Sequence, residues 1–168
     1  MLMNSRLVRY PISKAVVMMA FIAAAALILV GCQRKPVMAH AKFMHLPLNG
    51  WQRHLSLTFK PQYDDSAATY DLTLAVRHDV SYAYRDLSLV VDVIGAHAAI
   101  DRKAITMPLA DEYGNWTGGG FGALYQGSVT IASGIHPDEA QSVVVWQAMA
   151  SCDTLQGVLD VGVVVRPR

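Results

Sequence analysis

The sequence predicts an all-β domain, an antiparallel two-sheet sandwich of jelly-roll type, carried behind an N-terminal lipoprotein signal peptide. Three observations predict it. From Phe43 onward, apolar residues alternate with polar ones in short runs, which is the period of a half-buried strand. About eight such runs are separated by turn residues, with no long helical period between them. The Cys…Trp…Cys spacing of an immunoglobulin sandwich is missing, since the chain has only Cys32 and Cys152.

The first stretch, Ala15–Cys32, reads AVVMMAFIAAAALILVGC. Arg6, Arg9 and Lys14 precede it, and a Leu-Val-Gly triplet closes it at Cys32. A positive start, an apolar middle and a small-residue cleavage site are the parts of a secretory signal peptide. The apolar run would reach roughly 24 Å at ~1.5 Å per residue, short of the ~30 Å hydrocarbon core. The triplet before Cys32 is similar to the lipobox of bacterial lipoproteins. That similarity implies a lipidated Cys32 as the mature N-terminus, durably held because several acyl chains anchor where one does not.

The organisation expected is a signal peptide over 1–31, a tether over 32–42 and a β-sandwich over 43–168. The chain has 14 basic and 13 acidic residues, and the three basic residues before Cys32 leave with the signal, so the mature net charge is 11 − 13 = −2. A mildly acidic domain with dispersed charge gives no nucleic-acid footprint. With Cys32 taken by lipid, Cys152 has no intramolecular partner and reads as a small buried hydrophobe or a reactive thiol.

The elements follow in order. Gln33–Lys42 is polar, contains Pro36 and has no period, as a tether does. Pro47-Leu48-Asn49-Gly50 is a turn signal. Trp51–Phe59 reads as a strand with Leu55, Leu57 and Phe59 on one face. Thr69–Asp79 is the clearest strand: Tyr70, Leu72, Leu74 and Val76 point inward, while Asp71, Thr73 and Arg77 form the wet face. Leu87–Ile94, apolar and β-branched, reads as a central strand. Ala104–Leu109 and Ala123–Ile131 are further strands, and Val143–Met149 and Val158–Val165 close the domain. Between them, His136-Pro137-Asp138-Glu139-Ala140 reads as one helical turn, with proline first and acids in the first turn.

Chemistry-bearing patterns are few. Gly118–Ala123 fits G-x-G-x-x-A, but that fingerprint needs a helix after it, and Leu124–Thr130 is β-like. Asp111, Glu112 and Asn115 would suit calcium only without the EF-hand spacing, or else form a polar turn. Glycines with Trp116 beside them suit either a contact loop or a cap on the sandwich end. Arg77-His78-Asp79 ends a strand before Tyr82 and Tyr84, where Arg77 and Asp79 are expected to pair. His40, His45, His54, His97 and His136 have no metal-ligand spacing, and no serine nucleophile motif accompanies His78. No catalytic residue, metal or cofactor is expected.

Several pieces in this order resemble the GldH-type gliding-motility lipoproteins. They are Leu29–Cys32, Asn49-Gly50-Trp51 leading into Leu57-Thr58-Phe59, Tyr70-Asp71-Leu72 running to Arg77, and Tyr82–Leu87. Then come Leu109-Ala110-Asp111 with Gly114, Trp116, Gly118 and Gly120, then Gln147-Ala148-Met149, and Leu155–Val158 with Asp160-Val161-Gly162. The resemblance implies a non-enzymatic envelope lipoprotein tied to the gliding and type IX secretion machinery. Gln33 after Cys32 resembles outer-membrane sorting, so the periplasmic face of that membrane is expected. The residues expected at partner contacts are Tyr82, Tyr84, Trp116, Gly118 and Gly120. The competing expectation is a carbohydrate-binding sandwich using Trp51, Trp116, Tyr82, Tyr84 and Tyr113.

Overall fold

The computed structural model describes residues 39–64, 67–97 and 100–168. The signal peptide, Cys32 and residues 33–38 of the expected tether lie outside the described residues. The described strands are β1 (His40–His45), β2 (Trp51–Gln52), β3 (Leu57–Phe59), β4 (Tyr70–Asp79), β5 (Asp86–Ile94) and β6 (Ile100–Pro108). They continue as β7 (Gly119–Phe121), β8 (Leu124–Ile135), β9 (Ser142–Gln147), β10 (Thr154–Leu155) and β11 (Val158–Pro167). One sheet runs β1-β11-β4-β8-β7, the other runs β3-β9-β5-β6, and β10-β2 form a small ladder of their own. All pairings are antiparallel.

The pairings are nested. β1 pairs with β11, β2 with β10, β3 with β9, β4 with β8 and β5 with β6. The chain is therefore one long hairpin, folded between β5 and β6 and then rolled into two sheets. That is the jelly-roll arrangement the sequence predicts. Only β7 stands outside the nesting, as a local hairpin on β8.

The core lies between the two sheets. Leu72, Leu74 and Val76 on β4 face Leu87, Leu89 and Val91 on β5, with Val143, Val145, Val161 and Val163 filling the layer; all are buried. Trp51 is 0% exposed and its Nε1–H donates to the Leu55 carbonyl at 2.9 Å. An indole is tolerated there because its one polar atom has a partner.

Besides the short strands β7 and β10, which no sequence pattern marked, the structure differs from the sequence reading of the strands at four places. The tether was expected through Lys42, but His40–Lys42 already pair with Val165–Val163 in β1. β1 is an edge strand whose residues are exposed or half-buried, so it carries no alternation to read. The expected strand Trp51–Phe59 is two pieces: the chain turns at Arg53-His54, where Leu55 N–H donates to the Gln52 carbonyl at 3.0 Å. β6 and β8 are longer than expected: the residues added to β6 are largely exposed, and those added to β8, Ala132–Ile135, are mostly half-buried and carry no clear alternation.

The fourth difference is the outer face of β4. Thr73 was expected to be wet but is only 7% exposed, and Ala75 is buried too. The neighbouring strands cover them. On this face the Phe43 ring lies against Gly162, which is paired with Ala75, and the Arg77 guanidinium sits 3.9 Å over that ring. A Cβ on Gly162 would stand 2.5 Å from the Phe43 ring, so glycine there makes room for the aromatic. The one-turn element is present as a short 3-10 helix, Pro137–Glu139, with the His136 N–H donating to Glu139 Oε2 at 2.7 Å.

Leu74→Asp places an unpaired carboxylate in the core at a cost of several kcal/mol, against a total stability of ~5–15 kcal/mol. The expected result is loss of a cooperative thermal transition. Thr73→Asp should keep the transition but melt several degrees lower, whereas Thr58→Asp, on an exposed position, should leave it nearly unchanged.

Candidate functional site

The sequence-selected residues converge on one end of the sandwich. The ladders place His78 beside Val158 on one side and Tyr125 on the other. The chain then turns at Val80-Ser81, held by the Asp79 carboxylate, which accepts from Ser81 N–H at 2.8 Å and Ser81 Oγ–H at 2.5 Å. This turn brings Tyr82 over His78, with ring centroids 5.5 Å apart. Trp116 meets the His78 ring edge-on at 4.6 Å, and Tyr125 stacks on it at 5.6 Å. Tyr84 packs against Tyr82 at 5.7 Å.

Trp116 reaches this place because its segment is tied down. The Ala110↔Trp116 bridge and the Thr117 N–H to Leu109 carbonyl bond at 2.9 Å pin it to the chain leaving β6. The Arg85 carbonyl in turn accepts from Leu109 N–H at 2.8 Å and Ala110 N–H at 3.1 Å. Between the two segments lies an open groove of about 340 Å³, walled by Tyr82, Tyr84, Arg85, Ala110, Asp111 and Trp116.

The expected contact residues divide in the structure. Tyr82 is 2% exposed, and its hydroxyl donates to the Asp86 carbonyl at 2.9 Å. It braces the site from beneath rather than presenting a surface, and burial holds its phenol protonated far above the usual range. Tyr84 and Trp116 are half-buried and reach the groove. Gly118 and Gly120 sit at the β7–β8 hairpin, where added Cβ atoms would stand 2.2 Å from the Gln126 carbonyl oxygen and 2.5 Å from that of Leu124. Glycine is needed there for the close approach of β8. Gly122 opens the two-residue turn at φ +65°, the position a type II′ hairpin turn keeps at positive φ.

Other expectations are resolved by the same geometry. The G-x-G-x-x-A match lies on a strand–turn–strand hairpin, so no helix N-terminus faces it. Asp111 Oδ1 accepts from the Tyr113 and Asn115 N–H groups at 2.9 and 2.8 Å, and Oδ2 accepts from Asn115 Nδ2 at 2.9 Å. These bonds, led by the Asn115 side chain, hold the Asp111 carboxyl below its usual range. The segment is a polar turn with its acid already occupied. Arg77 and Asp79 do not pair: Arg77 Nε donates to Gln126 Oε1 at 3.0 Å, and Asp79 holds Ser81. Of the five aromatics expected on a sugar-binding platform, Trp51 and Tyr82 are buried, which removes the flat row.

Sequence reasoning missed the apolar tip beside the groove. Phe121 is 93% exposed, and Val80 and Leu124 are exposed at the same end of the sheet, where Asp79 pairs with Leu124 and Leu124 with Phe121. Its signal was an aromatic flanked by glycines, which reads equally well as a loop.

A family model described as GldH lipoprotein matches residues 39–165. A curated gliding motility lipoprotein GldH homolog from Christiangramia forsetii is 24% identical over 139 residues, covering 78% of this chain and 83% of that protein. Among solved structures, the VP2 subviral particle of infectious bursal disease virus aligns at 13% identity with a TM-score of 0.33, over 82% of this chain and 37% of that one. The Gx strain of the same virus aligns at 13% identity with a TM-score of 0.20, over 82% of this chain and 43% of that one. The chain thus spans less than half the length of these viral chains.

His78 gives the site a pH dependence. It is 0% exposed, and its Nδ1 lies 3.1 Å from the Asp79 carbonyl, which can only accept, so Nδ1 carries the proton. Nε2 is buried with no hydrogen-bond partner among the described residues. Desolvation, opposed by the Asp79 carbonyl and charge, holds the folded-state pKa below the ordinary value. The unfolded chain therefore binds a proton first on acidification. The stabilising difference is complete above about pH 6.5, the unfolded value, and is lost as pH falls below it. Melting temperature should drop between pH 7 and pH 5, and His78→Phe should flatten that part of the profile. Trp116→Ala, which uncovers the imidazole, should lower the melting temperature by several degrees at pH 7.

Proposed function

The chain belongs to the GldH lipoprotein family, and from that premise we propose that it is a non-enzymatic accessory lipoprotein of the bacterial envelope. It is held in the outer membrane, on the periplasmic face, by lipid on Cys32. There it supports the gliding and type IX secretion machinery through protein–protein contacts. The observation that carries the contact reading is the exposed apolar and aromatic end of the sandwich, where Tyr84 and Trp116 border a groove and Phe121 stands 93% exposed. Large rigid aromatics in such a setting are the residues that dominate interface energies. Their support is stiff, since Tyr82, His78 and Tyr125 pack beneath them. Gly118 and Gly120 contribute by bringing β7 close to β8, which shapes the tip.

Cys32→Ala should leave a folded sandwich, read from an unchanged thermal transition of the domain, and move the protein from the membrane fraction to the soluble one. Recovery in membranes after a high-salt wash would contradict the lipid anchor. Tyr84→Arg should keep the melting temperature within a few degrees while cutting crosslinks from the groove to envelope proteins at least tenfold. Unchanged crosslinking would remove this end of the domain from the contact surface.

A further inference from the structure

We propose that β7 is a docking edge, at which an extended, uncharged segment of a partner envelope protein adds as a further strand to the five-stranded sheet. This rests on the contact reading above and says how the contact is made.

An open sheet edge offers unpaired N–H and C=O groups, and proteins guard such edges with charge, proline or brevity. Of the four terminal strands of the two larger sheets, three carry charge or run into proline. β6 carries Asp101, Arg102 and Lys103; β1 carries His40, Lys42 and His45; β3 runs into Lys60-Pro61. β7 is as short as β3 but has no charge and no proline: it reads Gly119-Gly120-Phe121, and all three residues are exposed. The sheet order ends at β7, so its outer side pairs with no described strand.

The glycines separate two explanations. Gly118 and Gly120 are required by β8, but a Cβ on Gly119 would meet nothing within 4 Å, and its φ is not in the left-handed region. Nothing inside the domain calls for glycine at 119. A bare position there leaves both faces of the edge clear for an incoming strand. Phe121, with Val80 and Leu124 beside it, then offers apolar area to the incoming side chains.

The occupant is a protein segment rather than the membrane that holds the lipid. The chain enters the domain at His40, which is paired through Val165 with Leu72, whereas Phe121 lies beyond Asp79 through Leu124. These are opposite ends of β4, roughly 25 Å apart at ~3.3 Å per residue, before the width of the sheet is added. The eight peptide steps from Cys32 to His40 reach at most about 28 Å. Placing Phe121 in the same leaflet would need that linker drawn out almost fully. An uncharged edge also lacks the basic residues that favour an anionic lipid surface.

The test uses the full-length lipidated protein in cells, with a photo-crosslinking phenylalanine analogue at position 121, at 84 and, as a guarded-edge control, at 100. The expected result is that position 121 crosslinks to one defined uncharged segment of an envelope protein and position 100 does not. That segment, made as a synthetic peptide, should bind the intact domain and slow hydrogen exchange at the Gly120 amide, which alternation along the ladder points away from β8. Gly119→Glu should cut both crosslinking and peptide affinity at least tenfold with the melting temperature unchanged. Crosslinks from 121 to lipid alone, or to a segment whose peptide leaves that amide unprotected, would overturn the docking edge, as would full crosslinking in Gly119→Glu. If 84 crosslinks to protein while 121 does not, the edge is refuted and the contact reading stands; if neither does, both fall.

Discussion

The register of β4 against its two neighbours holds both the core and the candidate site in place. β4 pairs with β11 from Val158↔His78 to Pro167↔Tyr70 and with β8 from Tyr70↔Ile135 to Asp79↔Leu124. A slip of one residue would exchange Tyr70, Leu72, Leu74, Val76 and His78 with Asp71, Thr73, Ala75, Arg77 and Asp79. The inner layer would then receive two acids and an arginine. The same slip would turn His78 away from Tyr125 and Trp116. The stability of the sandwich and the shape of its aromatic end are therefore one property. Shifts in register at Leu72/Thr73 and at Val158/Asp160 mark where the ladders accommodate irregularity without losing that phase.

Because the pairings are nested, the ladder that closes β1 on β11 joins residues more than a hundred positions apart, while β5 and β6 meet through a short connection. Local pairing at the fold point has the smallest closure entropy. The outer pairs gain theirs once the inner ones exist, which is the topology that makes all-β domains slow to fold.

How much of this was legible depends on burial. β4 was readable from its period of two, and β5, β9 and β11 from their runs of apolar, β-branched residues. β1 and the outer stretch of β6 were not, since an exposed edge strand needs no alternation. Thr73 was misread because alternation reports on hydrophobicity, whereas on a central strand flanked on both sides a small polar side chain is buried by its neighbours. At the site, the aromatic and glycine cluster was visible as composition, but its division into roles was not. Tyr82 as a buried brace, Tyr84 as a surface and Phe121 as a tip differ only in how the turns aim them. Arg102 and Asp92 show the same limit: separated in sequence by a whole turn region, they form a bidentate pair at 2.6 Å that no local pattern announces.

The way β1 joins the sheet has a mechanical consequence. Under the lipid anchor proposed above, tension would enter the domain at His40, and a load at the opposite end of the sheet would pull back along the strands. β1 runs antiparallel to β11 from His40↔Val165 to His45↔Asp160, so its hydrogen bonds lie across that line of force. All of them resist together in shear; none can be peeled open ahead of the next. The attachment that looks weakest in cross-section, a single exposed edge strand, would thus be loaded in its strongest direction, and tension between an anchored N-terminus and the far end could pass through the domain without unravelling it.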